Sequence, residues 1–120
     1  MRTARKKRQV LPRFRVLLGD EIALGHGKVD LLDHITRSGS ILEAAQQMDM
    51  SYNRAWQLVH TMNDCFKKPL VTAARGGRAG GGAGLTGTGK KLLALYRRLE
   101  QESGAATREA RRSIVALLKS

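Results

Sequence analysis

The segment from Ser38 to Thr61, SGSILEAAQQMDMSYNRAWQLVHT, constrains the fold of this chain more than any other. Ser40 followed by Glu43 has the spacing of a capping box, which predicts the start of a helix. The apolar residues that follow have the spacing of one helical stripe, namely Ile41, Ala44, Ala45 and Met48. The segment therefore begins with a short amphipathic helix.

A second helix follows after Asp49-Met50, a turn capped by Ser51. Its predicted buried face consists of Ala55, Leu58, Val59, Met62 and Phe66. At about 100° per residue, the opposite face consists of Asn53, Gln57, His60 and Thr61, with Tyr52, Arg54 and Trp56 at the borders. Two helices joined in this way predict a helix-turn-helix, whose second helix, about residues 51–66, can enter a major groove. The alternative is an ordinary pair of packed helices in a small α domain.

The charge of the chain favours a polyanionic partner. Its 120 residues include 22 Lys and Arg against 10 Asp and Glu, which gives a formal net charge of +12. The basic excess begins at the N-terminus, where no acidic residue precedes Asp20. We expect residues 1–12 to form a flexible basic arm that contacts DNA through Arg5, Lys6, Lys7 and Arg8. The alternative is a solvated tail that only aids solubility.

Before the two helices, the sequence predicts a β-hairpin and one further helix. Arg13 to Leu18 is predicted as a strand, and Gly19-Asp20-Glu21 as the turn into a short strand at Ile22 to Leu24. Gly25-His26-Gly27 interrupts the pattern. A helix is then predicted from Lys28 to Arg37, with Lys28, Leu31, Leu32 and Ile35 on one side and Gly39 at its C-terminal end.

After the two helices, the sequence predicts a glycine-rich ribbon. Pro69 ends the second helix, and Leu70-Val71-Thr72 begins an extended segment. A two-stranded ribbon over about residues 72–86 would occupy the place of the wing in a winged helix. Glycines allow close approach to a phosphate and arginines supply charge, so we expect DNA contacts from Arg75, Gly76, Gly77 and Arg78. The alternative is a flexible linker.

The C-terminal third is predicted to be helical. A long helix begins at Thr86 and is expected to be interrupted at Ser103-Gly104, before a last helix. Two apolar stripes follow from this assignment, one with Leu92, Leu95, Tyr96 and Leu99, the other with Ile114, Leu117 and Leu118. These exceed what one small domain needs for its core, so we predict a homodimer, which would let the protein bind two half-sites. The alternative is that both helices complete the core of a monomer.

Other classes of function find little support. Gly84 to Lys91 nearly matches a phosphate-binding loop, but Lys91 replaces the Ser or Thr that would hold magnesium. The three histidines and the single cysteine lack the short paired spacing of a zinc site. We therefore expect no enzyme, no catalytic residues and no metal site. No apolar run reaches the ~20 residues of a membrane span, and the lone Cys65 fits a reducing compartment. The predicted location is cytoplasmic, at the nucleoid.

These motifs together resemble the N-terminal DNA-binding domain of the ModE-type molybdate-responsive transcription regulators, a domain related to the LysR-type winged helix. The resemblance runs from about Gly25 to Leu99. It is carried by Ser38-Gly39-Ser40-Ile41, by Ser51-Tyr52-Asn53-Arg54-Ala55-Trp56, by Met62-Asn63, by Pro69-Leu70-Val71 and by the wing sequence from Gly76 to Thr86, GGRAGGGAGLT.

The resemblance implies roles for particular residues. The recognition-helix residues it implies are Tyr52, Asn53, Arg54, Trp56, Gln57 and His60. We expect the N-cap residue Ser51 to contact DNA together with them. Residues 75–84 would form the wing, and the terminal helices the dimer interface. Arg75 departs from the small polar residue expected before the glycine pair. Full-length members continue into oxyanion-binding molbindin modules, whereas this sequence stops after one further helix. We therefore expect no comparable molybdate pocket and no cofactor here, and any molybdate control would come from a separate effector-binding partner or from an unfamiliar site.

The sequence thus predicts a mainly α fold with a small β component, comprising a winged helix-turn-helix at residues 13–86 and dimerisation helices at residues 87–120. The predicted function is sequence-specific binding of double-stranded DNA by a transcription regulator, linked to molybdenum metabolism through the resemblance. The alternative is a nonspecific architectural DNA-binding protein or an RNA-binding protein.

Overall fold

The fold is mainly α-helical with a small β component, as predicted. The structure, a computed structural model, describes residues 6–73 and 82–120. Within these residues the elements in chain order are β1 (Val16–Leu18), β2 (Glu21–Leu24), α1 (His26–Ser38), α2 (Ile41–Gln47), α3 (Tyr52–Cys65), β3 (Val71–Ala73), β4 (Ala83–Leu85), α4 (Gly87–Ala106) and α5 (Arg108–Ala116). The strands form two antiparallel pairs, β1 with β2 and β3 with β4.

The first hairpin is shorter than predicted. Strand β1 begins at Val16, so the predicted start at Arg13 is wrong. Val16 already pairs with Leu24, the last residue of β2, so β1 has no partner strand beyond that point. Gly19 forms the turn with a φ of 61°, a left-handed conformation that glycine adopts without a steric penalty.

Helix α1 begins at His26, two residues before the predicted start at Lys28. Gly25 does not break the helix but serves as its N-cap in extended conformation, and its carbonyl accepts a hydrogen bond from the Val29 N–H at 2.9 Å. Val29 is buried with Leu31, Leu32 and Ile35, whereas Lys28, predicted for the same stripe, is partly exposed and donates to the Ile22 carbonyl. Gly39 ends α1 in the left-handed region, as predicted, with a φ of 70°.

Both predicted N-caps of the central helix pair are confirmed. The Ser40 hydroxyl accepts from the Glu43 N–H at 3.1 Å, and the Ser51 hydroxyl accepts from the Arg54 N–H at 3.0 Å. The reciprocal half of the capping box differs from the prediction, because the Ser40 N–H donates to the Ser38 hydroxyl at 3.3 Å.

The turn between α2 and α3 contains Asp49 in the left-handed conformation, with a φ of 54°. Helix α3 ends at Cys65, close to the predicted recognition helix of about residues 51–66, but it does not continue toward Pro69, because Phe66 is already extended.

One apolar core joins these elements. It is formed by Leu24, Val29, Leu31, Leu32, Ile35, Ile41, Ala44, Ala45, Ala55, Val59, Met62, Leu70, Val71 and Tyr96. Tyr96 brings α4 into this core, and its hydroxyl donates to the Phe14 carbonyl at 3.2 Å. An ion pair between Arg97 and Asp33 also links α4 to α1.

The C-terminal helices differ from the prediction at one point. Helix α4 runs without interruption through Ser103-Gly104 to Ala106, and the break falls at Thr107. A single glycine inside a helix costs only about 1 kcal/mol relative to alanine, and the Gly104 carbonyl accepts a hydrogen bond from the Arg111 guanidinium. No helix among the described residues has the length and apolar character needed to span a bilayer.

Candidate nucleic-acid interface

Helix α3 has one buried face and one polar, exposed face. Ala55, Val59 and Met62 lie in the core. Asn53, Gln57 and His60 are exposed on the opposite side, as the helical spacing predicted, and Thr61 is half-buried beside them. Ser51 caps the N-terminus of this helix, and its buried face packs against α2 in the core. The polar side chains are therefore carried by a helix that is held in place on its other face.

An aromatic ladder lies along one flank of this polar face. It consists of Tyr52, Trp56 and His60, which are spaced four residues apart. The ring centroids of Tyr52 and Trp56 are 6.3 Å apart with planes at 27°, and those of Trp56 and His60 are 4.9 Å apart with planes at 28°. The Trp56 indole N–H also donates to the Tyr52 hydroxyl. All three residues were predicted to lie on this helix. Their stacking was not predicted, although the i, i+4, i+8 spacing indicates it.

A cationic cleft lies along the other flank of α3. It has a volume of about 890 Å³, and four of its lining residues are basic, namely Arg13, Arg15, Lys28 and Arg54. Met48, Met50, Leu58 and Thr61 line it on the α2–α3 side, while Asp20 and Glu21 contribute two carboxylates. This cleft was not predicted from the sequence, because its charges come from a pre-strand segment, the start of α1 and the start of α3, which only the fold brings together.

The base of the predicted ribbon is fixed to the rest of the domain. Strands β3 and β4 pair from Val71–Leu85 to Ala73–Ala83, which confirms the ribbon. The Ala83 N–H donates to the Gly39 carbonyl at 2.9 Å, and the Thr86 hydroxyl donates to the Pro69 carbonyl at 2.7 Å. The wing residues predicted to contact DNA lie outside the described residues, namely Arg75, Gly76, Gly77 and Arg78.

The basic arm is described from Lys6 onward, so Arg5 lies outside the described residues. Lys6, Lys7 and Arg8 are exposed and belong to neither a helix nor a strand. The segment from Arg8 to Pro12 lines a groove together with Arg111, Arg112 and Val115 of α5. The arm therefore leaves the domain beside the last helix.

The terminal helices present apolar side chains that the domain does not cover. Leu95 and Leu99 of α4 are 49% and 41% exposed, and Ile114 of α5 is 49% exposed. Just beyond α5, Leu117 is 86% exposed and Leu118 is 45% exposed. Helix α5, all of whose residues the structure describes, buries no side chain.

Comparison with known proteins identifies the relatives of the chain. No family model matches it. It is 44% identical over 84 residues to the molybdenum transport protein ModE of Azotobacter vinelandii, covering 70% of this chain and 31% of that protein. The chain is a relative of the ModE proteins. A second relative is the DNA-binding transcriptional dual regulator ModE of Escherichia coli K12. The two sequences are 43% identical over 74 residues, which cover 62% of this chain and 28% of that protein.

A third relative is named as a molybdenum-pterin-binding protein and not as a ModE protein. The molybdenum-pterin-binding protein MopB of Rhodobacter capsulatus is 49% identical over 77 residues, which cover 64% of this chain and 28% of that protein. The chain thus spans less than a third of the length of each of these relatives. The resemblance to ModE-type regulators inferred from the sequence is confirmed by these matches.

Proposed function

We propose that this chain is a sequence-specific reader of double-stranded DNA and acts in transcription regulation. In this proposal α2 and α3 form a helix-turn-helix, α3 enters the major groove, and β3 and β4 form the base of a wing. One observation carries the proposal: the polar face of α3 projects outward between an aromatic flank and a cationic cleft. The description of the E. coli relative as a DNA-binding transcriptional regulator supports the same function.

The exposed side chains of α3 have the chemistry needed to distinguish bases. Asn53 and Gln57 carry amides, which pair bidentately with the N6 and N7 edge of adenine. Arg54 lies toward the cationic cleft, where it can reach guanine or a phosphate according to the docking angle. With 14 residues, α3 is long enough to present both amides to adjacent base pairs.

The basic residues of the cationic cleft are suited to contact the phosphate backbone of DNA. Arg13, Arg15 and Lys28 flank α3 on one side, so they would meet the phosphates of one strand when α3 lies in the groove. Such contacts fix the docking register without reading sequence. We assign the same role to the wing residues Arg75 and Arg78 and to the arm, for which the +12 net charge of the chain is the support.

We further propose that the protein acts as a homodimer. An apolar surface is formed by exposed side chains of α4, of α5 and of the residues just after α5, namely Leu95, Leu99, Ile114, Leu117 and Leu118. A second copy of the chain, related by a two-fold axis, would cover this surface. The dimer would bind two half-sites about one or two helical turns apart, at roughly 10.5 base pairs per turn. We link the protein to molybdenum metabolism through its relatives, and assign any molybdate response to a separate effector-binding partner or to a site unlike the family's oxyanion pocket.

Two experiments test the function. The purified protein first selects bound fragments from genomic DNA, and its affinity is then measured for the best site and for random duplex. Gln57→Ala should weaken binding to the best site by about 1–3 kcal/mol and affect random DNA far less. Gln101→Ala removes an exposed amide from α4 and serves as the matched control, which should bind both duplexes like the wild type. Equal losses on both duplexes for Gln57→Ala would favour the nonspecific architectural alternative.

A further inference from the structure

The aromatic ladder and the amides of α3 share one surface depression. This depression has a volume of about 480 Å³ and is lined by Tyr52, Asn53, Trp56, Gln57 and His60. A base pair presented to it would meet an amide on one side and an aromatic ring on the other. On the opposite flank of α3 the cationic cleft begins, so the two sides of the helix differ in chemistry.

The thymine C5-methyl group is the group in the major groove that best matches an aromatic ring. The base edges expose mainly hydrogen-bonding atoms there, and this methyl is the apolar group that projects furthest from them. An aromatic ring that lies against this methyl excludes water from it, whereas a cytosine at the same position offers no methyl. The ring of Tyr52 and the amides of Asn53 and Gln57 lie side by side in this depression. We therefore propose that Tyr52 reads a thymine methyl beside an adenine bound by Asn53 or Gln57, an inference that rests on the proposed function.

Trp56 positions the Tyr52 ring for this contact. It is half-buried and packs against the core, and its indole N–H donates to the Tyr52 hydroxyl. His60 stacks on the other side of Trp56, with centroids 4.9 Å apart. Tyr52 itself is 40% exposed and lines the depression, so part of its side chain is accessible to a ligand. A ring held in this way loses little rotamer freedom on binding. Helix α3 is therefore assigned a preference for an A·T pair, or two adjacent A·T pairs, in each half-site.

Replacement of each thymine of the selected duplex by deoxyuridine, one at a time, removes one methyl without altering the hydrogen-bonding edge. At one position in each half-site the wild type should lose about three- to tenfold in affinity. Tyr52→Ala should bind the thymine and deoxyuridine duplexes equally at that position. Tyr52→Phe keeps the ring but lacks the hydroxyl that accepts from Trp56, so its discrimination should lie between that of the wild type and that of Tyr52→Ala. Leu17→Ala removes an exposed apolar side chain from β1 and is the control, with discrimination unchanged.

The outcomes separate this inference from the function on which it rests. A selected site whose affinity is insensitive to deoxyuridine at every position would overturn the thymine-methyl contact and leave the function standing. The contact is likewise overturned if the deoxyuridine loss persists undiminished in Tyr52→Ala while circular dichroism shows that variant to be folded. If no selected duplex binds better than random duplex, the proposed function fails and this inference fails with it.

Discussion

The side-chain amide of Asn63 is hydrogen-bonded to both polar backbone groups of Val71. Its Oδ1 accepts from the Val71 N–H at 3.2 Å, and its Nδ2 donates to the Val71 carbonyl at 3.1 Å. The same Oδ1 accepts from the Leu70 N–H at 2.8 Å. One side chain thus fixes the end of α3 to the start of β3, and thereby sets where the ribbon leaves the domain relative to the proposed recognition helix.

Removal of this amide should destabilise the domain. Asn63→Ala would leave the backbone groups of Leu70 and Val71 without their partner, and we expect the free energy of unfolding to fall by about 1–3 kcal/mol. Asn53→Ala removes an exposed amide from the same helix and is the matched control, expected to change stability by less than about 0.5 kcal/mol. Urea denaturation of both variants provides the measurement. Equal midpoints for Asn63→Ala and the wild type would contradict this role.

Replacement of Gly89 by a larger residue should destabilise the domain, because α4 approaches the backbone of Leu70 at this point. A Cβ on Gly89 would collide with the Leu70 carbonyl oxygen and lie 2.8 Å from Leu85 Cδ2. We expect Gly89→Ala to lower the free energy of unfolding by about 1–3 kcal/mol, despite the higher helix propensity of alanine. Gly87→Ala, two residues earlier with nothing within 4 Å of the added atom, should be neutral or stabilising. Thermal unfolding of the pair checks this, and equal melting temperatures would refute the close-packing explanation.

The local signals in the sequence predicted the helices and caps well. Ser40, Ser51 and Gly39 act through their immediate neighbours, so their roles follow from spacing alone. The end of α3 was predicted to within one residue by the recognition helix of about residues 51–66, whereas its extension toward Pro69 and the interruption of α4 at Ser103-Gly104 were predicted wrongly. Phe66 leaves the helix where Asn63 binds the next strand, and Ser103-Gly104 remains helical with the Gly104 carbonyl bound by Arg111.

The candidate site was predictable only in part. The polar face of α3 follows from helical periodicity. The cationic cleft does not, since Arg13, Lys28 and Arg54 are far apart in sequence and meet only through the fold. Gly89 is a similar case: it belongs to a stretch that resembled a phosphate-binding loop, whereas its structural role is to let α4 pack against Leu70.

The arm and the wing should each contribute to the salt dependence of binding. If Arg78 contacts phosphate, Arg78→Ala should weaken binding on all sequences and reduce the slope of log K against log salt by about 0.9. Deletion of residues 1–8 should act in the same direction. Arg98→Ala is the charge-matched control, since Arg98 lies on α4 and pairs with Glu102 at 2.8 Å. Titrations at several salt concentrations measure the slopes, and unchanged slopes would assign these segments to a linker and a solubility tail.

Assembly should depend on the exposed apolar residues of the C-terminal third. Leu99→Asp or Leu117→Asp places a charge in the proposed two-fold interface, so each variant should dissociate to the 13.2 kDa monomer. Leu42→Asp, at a 48% exposed position on α2, should leave the dimer intact. Sedimentation equilibrium at micromolar concentration distinguishes the species. A wild type that sediments as a monomer, with and without DNA, would contradict the dimer proposal.

The central claim is that α3 reads sequence. The most direct test is the ratio of affinities for the best genomic fragment and for random duplex of equal length, measured at one physiological salt concentration. A reader of base sequence should bind its site about 10³-fold more tightly or better. A ratio near one would contradict the claim, because charge alone attracts every duplex equally.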